Sequence, residues 1–294
     1  MDVSVNSIFL NSVVGYPEIE MMRIFYTSIM HPSSFIDEIT MDKQPLKVPD
    51  QKEFDHFAAN RGFEKVFNSS YSKAYALFSF VLSDYLKHAK PDLKVLDIGC
   101  GDGWTAEFIS NFAKGRYFGI DSSAESIKKL EQRVPESSGL KVKGVAGSAE
   151  WIISPKSGKQ IEEFLEGKPD LIVCNASCHQ IRKSYPDLRK IFAAASSVLE
   201  QDGTFLVGDY YFPEDMTEDE VEEDRNWIKT ETGQTPTPRS GFIVRNEMEL
   251  ILESSGFISD TAREIRGNRD IRILYYLFVS RKTFSQAKTS LPLS

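Results

Sequence analysis

The residues of this 294-residue chain with the clearest capacity for chemistry are three alternating glycines, Gly99, Gly101 and Gly103, and a carboxylate, Asp121, about 20 residues past them. Glycines can take positive φ and let a ligand lie against the backbone, where any Cβ would collide. Val95, Leu96 and Ile98 lead into the turn without a polar face, as in a strand buried on both sides. Trp104 to Phe112 reads as a helix whose first amides face the same turn. Tyr117 to Ile120 reads as a second strand, with Asp121 at its carboxyl end, where a carboxylate can accept from ribose hydroxyls. A second set lies downstream. Asp209, Tyr210, Tyr211 and Phe212 follow an apolar strand at Thr204 to Gly208, and an acid with three aromatics at a sheet's carboxyl end reads as the lining of an acceptor pocket.

Two ligand classes fit the glycine unit. A dinucleotide site wants G-x-G-x-x-G, but the third glycine would fall at position 104, which is Trp104. Asp97 and Asp102 also add negative charge where a pyrophosphate would want none. An adenosine ligand bearing a sulfonium and an amino group suits those acids better. Asp-Ile-Gly-Cys-Gly-Asp-Gly at 97 to 103 closely resembles motif I of the class I S-adenosylmethionine-dependent methyltransferases of the small-molecule type, and the resemblance extends over about residues 90 to 281.

That resemblance implies S-adenosylmethionine as cofactor, S-adenosylhomocysteine as product, and a role for each matching position. Gly99, Cys100, Gly101 and Gly103 would hold the methionine part through the backbone, helped by Asp97. Asp121 would take the ribose, with Ser122 beside it as the cap of a helix from Ala124 to Gln132. Gly147-Ser148-Ala149-Glu150 looks like the G-D-A-E that borders the adenine, with Ser148 in place of the usual aspartate. Asn175, at the end of the strand Asp170 to Asn175, would border the methyl. His179 then stands where a histidine often reaches the acceptor pocket. With Asp209 and Tyr210 as neighbours it would be the general base, since its unperturbed pKa lies near working pH; the alternative is a structural histidine on a loop.

These residues need elements to hold them. Strand and helix alternate through five repeats and close with Phe257 to Glu264 and Ile271 to Ser280, which the family forms as an antiparallel hairpin. The expected fold is α/β: a Rossmann-like three-layer sandwich with a mostly parallel seven-stranded sheet over residues 91–282, a helical cap or lid over 1–90, and a loose tail over 283–294. In the cap, Phe67, Tyr71, Tyr75, Phe78, Leu82 and Tyr85 form a stripe at helical spacing. Phe54 and Arg61 read as part of a lid over the acceptor. The proline-rich loop at 235–241 closes over the same side, where Arg239 binds a substrate carboxylate or phosphate or is simply a surface arginine. Tyr211 is assigned to the acceptor with them.

A formal charge of −8 argues against a nucleic-acid substrate, which calls for a basic face. The cluster Arg263, Arg266, Arg269 and Arg272 reads better as a solvated hairpin tip. Three cysteines make no disulfide framework, and no run is long and apolar enough for a bilayer, so the expected location is the cytoplasm. No metal site is expected. The expected activity is methyl transfer to an oxygen, nitrogen or carbon of a small metabolite. Alternatives are a cofactor-binding protein of the same fold that does not methylate, or a protein or RNA methyltransferase. The oligomeric state stays open, a homodimer among the options.

Overall fold

The computed structural model describes residues 72–185, 187–232, 237–266 and 272–283. Phe54, Arg61 and most of the expected cap lie outside that set, as do Arg269 and all of the expected tail except Thr283.

The first described helix, α1 (Ser72–Leu86), precedes β1 (Leu93–Ile98), α2 (Trp104–Ser110), β2 (Gly115–Asp121), α3 (Ala124–Arg133) and β3 (Leu140–Ala146). After a short 3₁₀ turn come α4 (Pro155–Leu165), β4 (Leu171–Asn175), α5 (Cys178–Ser184), α6 (Leu188–Val198) and β5 (Thr204–Tyr211). The chain continues through α7 (Glu218–Thr232), α8 (Arg245–Ser254), β6 (Phe257–Arg266) and β7 (Leu274–Lys282). The sheet order is β3-β2-β1-β4-β5-β7-β6. The first five strands are parallel and β7 runs antiparallel between β5 and β6, the expected α/β architecture with its closing hairpin.

Strands covered on both faces need unbroken apolar runs, and Leu93, Val95, Leu96 and Ile98 of β1 are all fully buried. The path from β1 moves outward to β3, then crosses back to β4 and on to β5. Right-handed crossovers therefore put α2 and α3 on one face and α4 and α6 on the other. The direction reverses between β1 and β4, so a crevice opens at their carboxyl ends. The aromatic stripe in the described part of α1 is core: Phe78 and Leu82 have no exposure, and the helix packs on β6 and β7. Among the described residues no helix is long and apolar enough to cross a membrane.

Three sequence expectations change. The cap of α3 is Ser123, whose side chain accepts from the Ser126 amide, while Ser122 is exposed. β5 does not end at Gly208, because β7 pairs with it residue for residue as far as Tyr211 opposite Leu274. Arg272 is not a solvated tip: it binds Glu220, Glu223 and Asp224 of α7, and Arg263 lies over the Phe80 ring.

Candidate functional site

The glycine turn follows β1 with φ of +78° at Gly99, +53° at Gly101 and +90° at Gly103, all in the left-handed region. A Cβ on Gly99 would stand 2.4 Å from Cβ of Ser177, so the turn lies directly against the segment leaving β4. Ser177 donates its hydroxyl to the Ile98 carbonyl at 3.1 Å and fastens the two strand ends together.

Asp121 ties this turn to the next. One carboxylate oxygen accepts from the Gly101 amide at 2.9 Å and the other from the Ser123 amide at 2.8 Å. Asp121 is half-buried at the carboxyl end of β2, as the sequence predicts.

Asp97 is different. It is 1% exposed, accepts from the Tyr117 hydroxyl and from Thr105, and lies under the turn. Burial pushes its pKa up to about 7, against the lowering effect of those two hydrogen bonds. Asp102 is paired with Arg133 at 2.8 Å, which compensates the charge that the sequence leaves standing. Cys100 adds only backbone to the turn: its buried thiol sits where a Cβ on Gly119 would be, and burial holds its pKa high. Trp104, in the place of the third glycine, stacks on Phe108 and meets Tyr75 of α1 edge-on, both at 5.4 Å.

On the adenine side of the expected site, Ser148 is half-buried and makes no cap bond through its hydroxyl, and Ala149 is buried. A cavity of about 520 Å³ opens there between Gly147, Ser148, Glu150, Trp151 and the first turns of α4. It shares only this edge with the expected site and stands apart from the glycine turn. Trp151 is stacked on Phe118 at 5.9 Å, on the α4 face of the sheet, and so belongs to the core.

The second group assembles at the ends of β4 and β5. His179 Nδ1 stands 2.6 Å from one oxygen of the fully buried Asp209. The His179 amide donates to the other oxygen at 2.7 Å, and the Tyr210 amide donates to the first at 2.8 Å. As a carboxylate Asp209 can only accept, so Nδ1 carries the ring proton, and the lone pair of the neutral imidazole on Nε2 accepts from Gln180 Nε2 at 3.1 Å. Phe242 covers the ring at a centroid distance of 5.0 Å and itself packs on Phe212. Ala176 between β4 and α5 has φ of +54°, a conformation that costs a non-glycine residue about 1–2 kcal/mol.

Two expected acceptor residues lie elsewhere. Because β5 continues as strand through Tyr211, that side chain shares a face with Asp209 and Tyr210 faces the other way, so burial and partners decide its place. Tyr211 is fully buried and donates its hydroxyl to Glu264 at 2.8 Å, so it lies in the core and not in the acceptor lining. Arg239 is neither a substrate arginine nor a solvated one. Its guanidinium donates to the carbonyls of Pro213, Glu214 and Met216 and to Glu218, and so clamps the loop after β5.

Sequence reasoning missed Tyr275, Phe242 and Ser177. Tyr275 of β7 donates its hydroxyl to Asn175 Oδ1 at 2.6 Å and packs against Tyr210 at 5.1 Å. No local signal marks it, because its partner is 100 residues away. Ser177 could have been suspected only from Gly99, which needs a close neighbour to be needed at all.

The chain resembles known proteins in the same region. It is 32% identical over 127 residues to an uncharacterized methyltransferase, YcgJ, of Bacillus subtilis, a match covering 43% of this chain and 44% of that protein. The matched part is thus less than half of that curated relative. Two solved structures share the fold. A SAM-dependent methyltransferase from Anabaena variabilis superposes with a TM-score of 0.52 at 13% identity, over 83% of this chain and 99% of that one. A geranyl diphosphate C-methyltransferase from Streptomyces coelicolor, solved with S-adenosyl-L-homocysteine, superposes with a TM-score of 0.50 at 14% identity, over 71% and 76%. A family model described as a methyltransferase domain matches residues 89–249, from just before β1 to within α8. That span is more than half of the chain and contains both groups of residues, and the protein belongs to the methyltransferase-domain family.

Proposed function

We propose that this protein is an S-adenosylmethionine-dependent methyltransferase acting on a small-molecule acceptor, with His179 as general base. The observation that carries the cofactor assignment is the pinning of Asp121 by the Gly101 and Ser123 amides, which sets a carboxylate beside a turn whose three glycines have positive φ. S-adenosylmethionine fits this cradle. The turn offers backbone to the methionine part, Asp121 accepts from the ribose diol, and Ser148 and Ala149 border the adenine. A cationic ligand suits the Asp121 carboxylate at this turn better than a pyrophosphate does. When bound, the cofactor supplies a methyl group on a sulfonium, and the reactive carbon comes with it.

The chain's own residues then have three tasks. His179 receives the acceptor's proton at Nε2, where the acceptor takes the place of Gln180 Nε2, while Asp209 holds the ring and its tautomer through Nδ1. Asn175, at the end of β4, borders the transferred group. Phe242, backed by Phe212, covers one side of the base and keeps water from it. The charge of −8 speaks against nucleic acid as acceptor, and the three unpaired thiols favour the cytoplasm.

Calorimetric titration with S-adenosylhomocysteine tests the cofactor assignment. Micromolar binding is expected from the wild type, weakened roughly tenfold or more in Asp121→Ala, where a charge-assisted contact of about 1.5–3 kcal/mol is lost. Undetectable binding to the wild type would remove the proposal and leave only the fold.

A further inference from the structure

We infer that Asp97 tells S-adenosylmethionine from S-adenosylhomocysteine by charge: the cation of the cofactor expels a proton from this carboxyl, and the neutral thioether of the product lets it return. This rests on the methyltransferase reading above and deepens it. Asp97 stands two residues before Gly99, so its Cα lies within about 7 Å of the first glycine of the turn. The side chain is buried, and the groups that hold it are neutral. The Tyr117 hydroxyl of β2 and Thr105 of α2 donate to it. No lysine, arginine or histidine pairs with it among the described residues, since Arg133 of α3 is engaged by Asp102 of the turn and Glu107 of α2. The further titratable groups around it offer no positive charge either. They are Asp121 of β2, and Cys100 of the turn and Tyr75 of α1, both of which burial keeps protonated. β4 alongside brings no charged residue.

A buried acid without a cation beside it keeps its proton until a cation arrives. Asp97 is poised for that exchange, being about half-protonated at neutral pH. A unit positive charge within about 10 Å, at an effective dielectric constant of about 20, lowers such a pKa by roughly one unit. The two ligands share the adenosine and the amino-acid part and differ by one methyl group and one charge. Contacts of the methyl do not depend on pH, but the charge does its work only on an ionised Asp97. S-adenosylmethionine therefore binds with release of the Asp97 proton to solvent. In the transfer the carbon–sulfur bond breaks with its electron pair on sulfur, the positive charge is lost, and Asp97 takes a proton back from solvent. The carboxylate favours the charged cofactor over the spent product, and acid removes the preference. Tyr117 sets the pH at which this happens: burial keeps its hydroxyl protonated, and it donates to the ionised form.

Calorimetry of the full chain with each ligand at pH 7, in two buffers of different ionisation enthalpy, counts the protons released. The excess released by S-adenosylmethionine over S-adenosylhomocysteine should be about 0.3–0.5 proton larger in the wild type than in Asp97→Asn. Between pH 5.5 and pH 7.5 the wild type's preference for S-adenosylmethionine should rise roughly fivefold relative to that of Asp97→Asn. The ligands' own titration is common to both proteins and cancels. Tyr117→Phe removes a donor to the ionised carboxyl, so its rise in preference should move to higher pH. That variant decides the matter where Asp97→Asn does not fold. An excess no larger in the wild type than in Asp97→Asn, a preference that does not rise with pH, or a rise that stays in place in Tyr117→Phe would each overturn the inference. Failure of both ligands to bind would instead remove the underlying reading.

Discussion

The carboxyl ends of β1 and β2 form a candidate site out of main chain, whereas those of β4 and β5 form one out of side chains. In the first, the Gly101 and Ser123 amides and one carboxylate do the positioning. In the second, His179, Asp209, Asn175 and Tyr275 are held by one another, from three different strands and a helix. A main-chain site depends on conformations that few residues can adopt. A side-chain site depends on partners that are far apart in sequence and can be exchanged one at a time.

The sharpest way to break the comparison is at Gly99. Gly99→Val places side-chain atoms against Ser177 in a left-handed conformation. Overpacking and the unfavourable φ together should cost roughly 2–5 kcal/mol and abolish S-adenosylhomocysteine binding. Urea unfolding with calorimetry on the same preparation checks both. A variant that kept full stability and affinity would mean that β4 does not press on the turn.

In the other region a single substitution should separate chemistry from binding. His179→Ala should lower turnover by about 10²–10⁴, the usual worth of a general base, with S-adenosylhomocysteine affinity within threefold of wild type. Turnover and its pH profile are the measurements. If neither changes, His179 is a structural histidine after all and the β4–β5 end is only a wall.

A smaller effect should separate Tyr211 from its neighbour. Tyr211→Phe removes the donor to the buried Glu264 carboxyl, and leaving such an acceptor without it costs about 1–3 kcal/mol. Denaturant unfolding should show that loss while turnover stays unchanged, because Tyr211 faces the core. Lost turnover at full stability would restore it to the acceptor lining.

The same contrast explains what could be read in advance. The turn from Asp97 to Gly103 and the carboxylate at Asp121 were legible because one contiguous stretch carries strand, turn, helix and strand, and each residue type has a local steric or polar reason. The sheet followed from the alternation of apolar runs. Asp209, Tyr210 and Tyr211 were legible as a group but not as individuals. Taken as a loop they all line a pocket, but as strand residues Asp209 and Tyr211 share one face and Tyr210 takes the other, and only the β7 pairing and the Glu264 partner of Tyr211 decide their places. Arg239 has no sequence signal for the three carbonyls it clamps, since a guanidinium binds carbonyl oxygens and carboxylates alike. Tyr275 became visible only through Asn175.

Asp97 tests the comparison most finely, because it lies in the main-chain region yet acts through its side chain. Its pKa is raised by burial from an ordinary 3.8 to about 7. Between those values the unfolded chain is ionised while the folded one keeps the proton, so the folded state binds more protons and stability falls as pH rises. Each pKa unit corresponds to about 1.4 kcal/mol, so from pH 5 to pH 8 this group should withdraw roughly 2–3 kcal/mol. Asp97→Asn cannot titrate. Relative to wild type it should gain about that much stability between those two pH values, whatever the absolute offset from altered contacts with Tyr117 and Thr105. Urea unfolding of both proteins at pH 5 and pH 8 measures the difference, and the subtraction removes every other titrating group. A constant offset would mean that Asp97 is ionised in the folded protein throughout. The turn would then hold a fixed negative charge beside Asp121, and its attraction for a cationic ligand would come from this side chain as much as from Asp121.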